Sequence, residues 1–291
     1  MTGSGPHGRI VKSDVEKAKD DGVPRQASEG AADARATSQG TATARGMTDE
    51  QVLALFEEGS YDTKPHDGMR RTIAERLTQS TQTVPSYFIT VECRLDALLK
   101  FRGEMNASAP EKDGKPVWKI SVNDFIVKAL ALALQDVPMA NGSWTSGARI
   151  LHKHSDVGVA VAVEDGLFTP IVRRAEEKSL STISNEIKDM AGRARSKKLK
   201  PHEYQGGVTA VSNLGMFGVK EFTSIINPPH ASILSVGAGE KRPVVDGDAL
   251  AIGTVMGATF AFDHRVIDGA LGAELAAAFK GYVEKPLAML A

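Results

Sequence analysis

Near its C-terminus the chain reads Phe262-Asp263-His264-Arg265-Val266-Ile267-Asp268-Gly269. The motif follows an uncharged run, residues 249–262, and an aspartate comes four residues after the histidine. Imidazole is the side chain whose unperturbed pKa lies nearest neutrality, so a histidine at the end of a buried strand is a natural general base. The same spacing also has a plain structural reading: Asp268 caps a helix over residues 269–283 and His264 is a satisfied core residue. Spacing alone leaves both readings open.

Other patterns invite chemistry and do not sustain it. Gly3-Ser4-Gly5-Pro6-His7-Gly8 spells G-x-G-x-x-G, but only Met1 and Thr2 precede it, so no strand leads into the loop. Pro6 also suits poorly a backbone that must cradle a pyrophosphate. Cys93 is the single cysteine and lies in the alternating stretch Ile89-Thr90-Val91-Glu92-Cys93, which marks a structural thiol on a strand. One cysteine allows no intrachain disulfide, which fits a reducing compartment. No carboxylate or thiol cluster accompanies His152-Lys153-His154 in the sequence, so no metal is expected. Lys197-Lys198-Leu199-Lys200 reads as a solvated helix end.

The elements that must position His264 follow from periodicity. Residues 254–262 read as a strand, with further strands at 208–212 and 233–236. Val157, Val159, Val161 and Val163 alternate with small residues, predicting one strand over 157–163, and Asp165-Gly166 turns it into another over 167–172. Ser121 caps a helix to Val137 whose Phe125, Ala129, Leu130, Ala133, Leu134 and Val137 share a face. Leu180, Ile183, Ile187 and Ala191 mark another. Thr48 and Gln51 form a capping box for a short helix over 48–58. The fold class expected is α/β with a substantial sheet.

Composition bounds the rest. At 291 residues, 42% apolar and 24% charged, the chain holds one large domain plus appendages. A net charge of -1 gives no reason to expect nucleic acid or an anionic membrane as partner. Residues 249–262 fall short of the roughly 20 apolar residues that span a bilayer, and the polar, Gly-rich N-terminus does not read as a signal peptide. Residues 19–46 carry Ala, Gly, Ser, Thr and charge with Val23 as the lone large apolar side chain, which predicts a flexible linker.

Asp-His-Arg-Val-Ile-Asp-Gly-Ala resembles the active-site signature of the dihydrolipoyl acyltransferases, the core components of 2-oxo acid dehydrogenase complexes. Gly68-Met69-Arg70-Arg71-Thr72-Ile73-Ala74-Glu75-Arg76-Leu77, Val84-Pro85-Ser86-Tyr87-Phe88, residues 211–219 and Ile225-Ile226-Asn227-Pro228-Pro229 resemble further motifs of that family, in its order, over about residues 65–291. The resemblance implies a catalytic domain over 47–291 with a chloramphenicol-acetyltransferase-like mixed sheet and helices on one side. It implies homotrimers with sites between subunits, assembling into a larger cage that the apolar C-terminus, residues 286–291, helps to join.

The implied reaction is acyl transfer between a dihydrolipoyl thiol and coenzyme A, with CoA or acetyl-CoA as substrate and no metal. His264 is then the base on the thiol and Ser212 the oxyanion donor. Asp268 holds the loop and the histidine, with Arg265 a candidate partner. Arg70 and Arg71 are candidate contacts for the CoA phosphates. Residues 3–18 resemble the second half of a peripheral subunit-binding domain, assigned to 1–18. No lipoyl-lysine turn is present, so the lipoyl group belongs to a separate or missing domain. Partners implied are that lipoyl domain and the pyruvate-decarboxylating and dihydrolipoyl dehydrogenase components, in bacterial cytoplasm or mitochondrial matrix. Residues 213–219 most resemble the acetyl-transferring, pyruvate-complex branch; succinyl or branched-chain specificity, a non-catalytic core subunit and an antibiotic O-acetyltransferase are the alternatives.

Overall fold

The computed structural model describes residues 6–9, 11–13, 46–164 and 166–291. The expected subunit-binding remnant and linker lie almost wholly outside the described residues, as does Asp165. The chain divides into two compact units, Met1–Lys64 and Pro65–Ala291. In the first, α1 (Asp49–Leu53) has the expected Thr48–Gln51 capping box but stops well before Glu58.

The second unit begins with α2 (Gly68–Thr83), β1 (Ser86–Arg94), α3 (Asp96–Ala107) and a two-residue hairpin pair, β2 (Glu111–Lys112) and β3 (Lys115–Pro116). Then come α4 (Val122–Asp136), β4 (Gly142–Trp144), β5 (Arg149–Leu151), β6 (Val157–Val159), β7 (Val161–Val163), β8 (Gly166–Phe168) and β9 (Ile171–Val172). The chain closes with α5 (Leu180–Arg195), α6 (Pro201–Tyr204), β10 (Thr209–Asn213), β11 (Ser232–Asp246), β12 (Ala249–Asp263) and α7 (Gly269–Glu284).

Six strands form the main sheet in the order β1-β12-β11-β10-β6-β9. β10 runs parallel to β11 and β6, and the other neighbours are antiparallel, so the sheet is mixed as expected. Its two faces differ. Tyr87, Ile89, Val91 and Cys93 on β1, with Phe260 and Phe262 on β12, join the core that holds Phe125 of α4 and Phe279 of α7. Phe88, Thr90 and Glu92, on the opposite face of β1, are not covered by that core. α4 forms because Ser121 and Asp124 cap each other's backbone N–H. Its apolar face, including Phe125, Leu130 and Leu134, is buried.

Two expected strands are broken. At Ala160, whose N–H donates to Val211 O (2.9 Å), the 157–163 stretch leaves the main sheet, and β7 pairs with β8 in a separate hairpin. The 167–172 stretch is interrupted at Thr169-Pro170, because proline has no N–H to give a ladder. Conversely, 233–236 and 254–262 are pieces of two strands of 15 residues each, β11 and β12, joined through Gly247 at φ 61°. The charges and proline of Glu240-Lys241-Arg242-Pro243 hide the longer strand from a periodicity reading.

α7 approaches the sheet closely through Gly272. A Cβ there would lie 2.9 Å from the Phe262 ring and closer still to the Tyr87 hydroxyl. Gly272→Ala is therefore expected to cost about 1–3 kcal/mol by overpacking, despite alanine's better helix propensity. A denaturant-unfolding midpoint equal to the parent's would show that the contact yields freely.

Candidate active site

The end of β12 is pinned by Asp263. Its N–H donates to Ala231 O (2.9 Å), and its carbonyl accepts from Val266 N (2.9 Å) and Ile267 N (3.0 Å), which closes a turn. Its side chain is 3% exposed and accepts from Arg265 three times over: backbone N (3.0 Å), Nε (2.9 Å) and Nη2 (2.7 Å). Arg265 stands 5.1 Å above the Trp144 ring, and its bond to Asp263 raises its pKa. His264, between these two, is turned outward and exposed. Its N–H donates to Pro85 O (3.0 Å), and its ring lies 4.7 Å from the Tyr87 ring.

Asp268 is the N-cap of α7: its Oδ1 accepts from Leu271 N at 3.0 Å. Its backbone carbonyl accepts the Tyr87 hydroxyl at 2.6 Å. Burial, and then the Asp268 carboxylate, push the Tyr87 phenol up to about 12. Tyr87 thus links β1, the His264 loop and the start of α7, a role the sequence reading did not give it. Arg265 is not the partner of Asp268. Its guanidinium is already committed bidentately to Asp263, two residues earlier, which is the geometry a planar fork prefers.

Ser212 sits near the end of β10, half-buried, in register with Ser235 on β11. The strand end is fixed by Asn213, whose Oδ1 accepts from Gly215 N (2.9 Å) and whose Nδ2 donates to Asn123 Oδ1 (3.1 Å). Ser235 pairs in turn with Thr259 on β12, so Ser212 is level with a residue well short of His264 and two strands away. Strand rise and spacing put the two side chains roughly 15–20 Å apart within one chain. The structure therefore brings His264, Asp268 and Tyr87 together and leaves Ser212 apart.

Arg70 and Arg71 are exposed in the first turn of α2, where Asp67 Oδ1 accepts from Arg70 N at 2.7 Å. The helix then carries the chain about 20 Å before Pro85 meets His264, so the arginines do not touch the histidine loop. Cys93 is fully buried and burial pushes its thiol up to about 12, as befits a structural thiol. The expectation that no carboxylate cluster attends His152-Lys153-His154 is corrected. The fold brings Glu176 and Glu177 to His154 Nδ1, at 2.9 and 3.4 Å, from beyond the reach of any local spacing. Among the described residues these three side chains offer ligand atoms within 4.8 Å of one another, and His154 Nδ1 is hydrogen-bonded to Glu176 Oε1.

A family model described as the 2-oxoacid dehydrogenases acyltransferase catalytic domain matches residues 58–291. The chain is 60% identical over 291 residues to the dihydrolipoyllysine-residue acetyltransferase component of the pyruvate dehydrogenase complex of Rhizobium meliloti, and covers 64% of that protein. It is 42% identical to the mitochondrial component 2 of Arabidopsis thaliana, with all of this chain and 50% of that one aligned. The chain thus spans between half and two-thirds of these relatives' length. Among solved structures it resembles a dihydrolipoamide acetyltransferase of Azotobacter vinelandii, with a TM-score of 0.78 and 30% identity over 85% of this chain and 100% of that one. That structure was studied for the role of a serine, a histidine and an asparagine in the catalytic mechanism. It also resembles the cubic core of a pyruvate dehydrogenase multienzyme complex, with a TM-score of 0.77 and 29% identity over 85% of this chain and 99% of that one. No helix of the described residues is long and apolar enough to cross a membrane.

The phenol at this site is testable. Tyr87 and Tyr282 are both raised to about 12, each chiefly by burial. A raised phenol stays protonated in the folded state after the unfolded chain has ionised, so the stability these groups contribute is lost as pH rises from about 10 to about 12. Ultraviolet titration should show two late-ionising phenols, and Tyr87→Phe should leave one and shrink the alkaline loss of stability. An unchanged count would refute the Tyr87 environment described.

Proposed function

The chain belongs to the 2-oxoacid dehydrogenase acyltransferase family, and we propose that it transfers an acetyl group between a dihydrolipoyl thiol and coenzyme A, as the assembling core of a pyruvate dehydrogenase complex. Residues 65–291 are the catalytic core in this reading. The names of its relatives support the acyl group and the complex. The single observation that carries the mechanism is the separation of two groups that one reaction needs: an outward imidazole at the end of β12 and, on β10, a hydroxyl with no partner among the described residues.

The thiol of CoA is mostly protonated near neutrality, and the thiolate is the nucleophile. His264 takes that proton. The thiolate attacks the acetyl carbon of the thioester, and the carbonyl oxygen becomes an oxyanion that Ser212 Oγ–H stabilises. Collapse breaks the bond to the dihydrolipoyl sulfur, which leaves with the proton held on His264. Both substrates are thiols and react directly, so no acyl-enzyme is required. Asp268 holds the site rather than the proton: it caps α7, and its carbonyl anchors the tyrosine packed against the histidine.

The serine, histidine and asparagine named for the Azotobacter vinelandii enzyme are spaced at the same intervals as Ser212, His264 and Asp268. An aspartate stands here at the asparagine's interval, consistent with a positioning role that both side chains can fill as N-caps. Because one chain keeps Ser212 and His264 apart, each site takes its histidine from one subunit and its serine from the next, in a homotrimer. Arg70 and Arg71 serve the CoA phosphates from the outer end of α2. The acetyl group arrives on a lipoyl domain carried elsewhere, loaded by the pyruvate-decarboxylating component, and the arm is reoxidised by dihydrolipoyl dehydrogenase. The compartment is bacterial cytoplasm or mitochondrial matrix.

Acetyl transfer from acetyl-CoA to free dihydrolipoamide tests the chemistry. His264→Ala should lose about 10²-fold or more, and Ser212→Ala about 10²–10³-fold. The shared site makes a sharper forecast. Trimers reassembled from equal amounts of the two variants should regain about a quarter of parental activity, since statistically one site in four pairs an intact histidine with an intact serine. No recovery in reassembled trimers would sink the intersubunit site, and an active His264→Ala protein would sink the base.

The C-terminus gives a second test. In the turn Pro286–Leu290, Pro286 and Met289 are buried in their own subunit, while Leu287 is 67% and Leu290 59% exposed. We assign the two leucines to contacts between trimers. Changing both to Asp should leave the fold intact and reduce the assembly to trimers on sedimentation; a persisting cage overturns the assignment.

A further inference from the structure

The face of the sheet turned away from the helices carries a row of hydroxyls across four strands. Ser212 on β10, Ser235 on β11, Thr259 on β12 and Thr90 on β1 are successive register partners. Opposed hydroxyls on this sheet generally find each other. Thr90 and Thr259 are bonded at 3.0 Å, and Thr209 and Ser232, opposed on the same two strands as Ser212 and Ser235, are bonded at 2.7 Å. Ser212 and Ser235 are the exception. The Ser235 hydroxyl, 2% exposed, is bonded at 2.7 Å to Ser224 from the loop before β11, and Ser212 Oγ has no partner among the described residues.

We propose that Ser224 is a positioning residue for the transfer reaction: by holding the Ser235 hydroxyl turned toward itself, it keeps the Ser212 hydroxyl unengaged and free to turn toward the developing oxyanion. The inference rests on Ser212 being the oxyanion donor. Its logic is competition. A hydroxyl has one proton to donate, and a serine directly opposite on the next strand keeps lone pairs that accept it whenever its side chain turns that way. If Ser235 were idle, Ser212 would donate to it in the resting enzyme, and that bond would have to be broken before each transition state is stabilised. A preorganised donor has no such bond to break. Ser224 turns the competitor aside without touching substrate.

The prediction separates this role from a merely structural one, because it calls for rescue by a second deletion. Removing the Ser224 hydroxyl frees Ser235 to capture Ser212. A neutral hydrogen bond has a net worth that corresponds to roughly a two- to tenfold effect, so Ser224→Ala should lower kcat by about that factor and leave KM for both substrates near parental values. Deleting the captor as well, in Ser224→Ala/Ser235→Ala, should restore most of kcat. Structural damage would instead accumulate, leaving the double variant slower than the single one, and that result overturns the proposal, as does a parental kcat in Ser224→Ala. Ser212→Ala, run alongside, distinguishes the two readings. If it retains full activity, the oxyanion assignment itself fails; if it is strongly impaired while Ser224→Ala is not, the assignment stands and the positioning role falls. Circular dichroism and trimer sedimentation of all variants confirm that the comparison is between folded proteins.

Discussion

The buried carboxylate of Asp263 is the interaction on which the site depends. A charge with 3% of its side chain exposed is tolerable only when its lone pairs are matched, and Arg265 supplies backbone and guanidinium donors together. Breaking one member of such a pair costs about 3–5 kcal/mol, because the other is left uncompensated. The pair forces a turn in the residues that join β12 to α7. With Asp263 drawn inward, and Arg265 laid over Trp144, the residue between them is displayed outward. The exposure of His264 is thus a consequence of its neighbours' burial. Its position is set by the backbone bond to Pro85 and the Tyr87 ring beside it.

Sheet register supplies the second constraint. Strand pairing fixes where each side chain stands to within a residue, and a slip by one would turn Ser212 and Thr259 from the open face to the helix face. The register that places Ser212 beside Ser235 and Thr259 also holds it two strands from β12 and short of its end. No side-chain rotamer closes a gap of roughly 15–20 Å. Under the mechanism proposed above, which needs both groups at one carbonyl, a second copy of the chain must complete each site.

What the sequence made legible was local. The caps at Thr48, Ser121 and Asp268 were readable because a cap is a short-range hydrogen bond with a fixed spacing. The helix faces and most strand positions followed from period. The failures share a cause in contacts across the fold. The break at Ala160 answers to Val211 on another strand, and β11 continues through charged residues because β12 is there to pair with it. The carboxylates at His154 come from residues 176 and 177. Spacing offers Arg265 the aspartate after it, whereas the deciding group is the buried aspartate before it, and burial is not visible in spacing. Resemblance singles out Ser212 and His264 as candidates, but their separation is visible only in the sheet.

A half-buried hydroxyl without a partner is a small departure from the rule that polar groups near a core are satisfied. On the same strands, Thr209 and Ser232 show that satisfaction was sterically available. Leaving Ser212 unpaired forgoes about 1 kcal/mol of folding stability, and the fold accepts this at one end of a row whose other members are all bonded. Such a local exception gains meaning from its surroundings: Asn213 and Gly215 fix the backbone beside it, so the free hydroxyl is held on a rigid strand end rather than on a mobile loop. In the proposed mechanism such a donor, fixed in place and unspent, suits oxyanion stabilisation, because the bond it would make with the transition state replaces no earlier one within the protein.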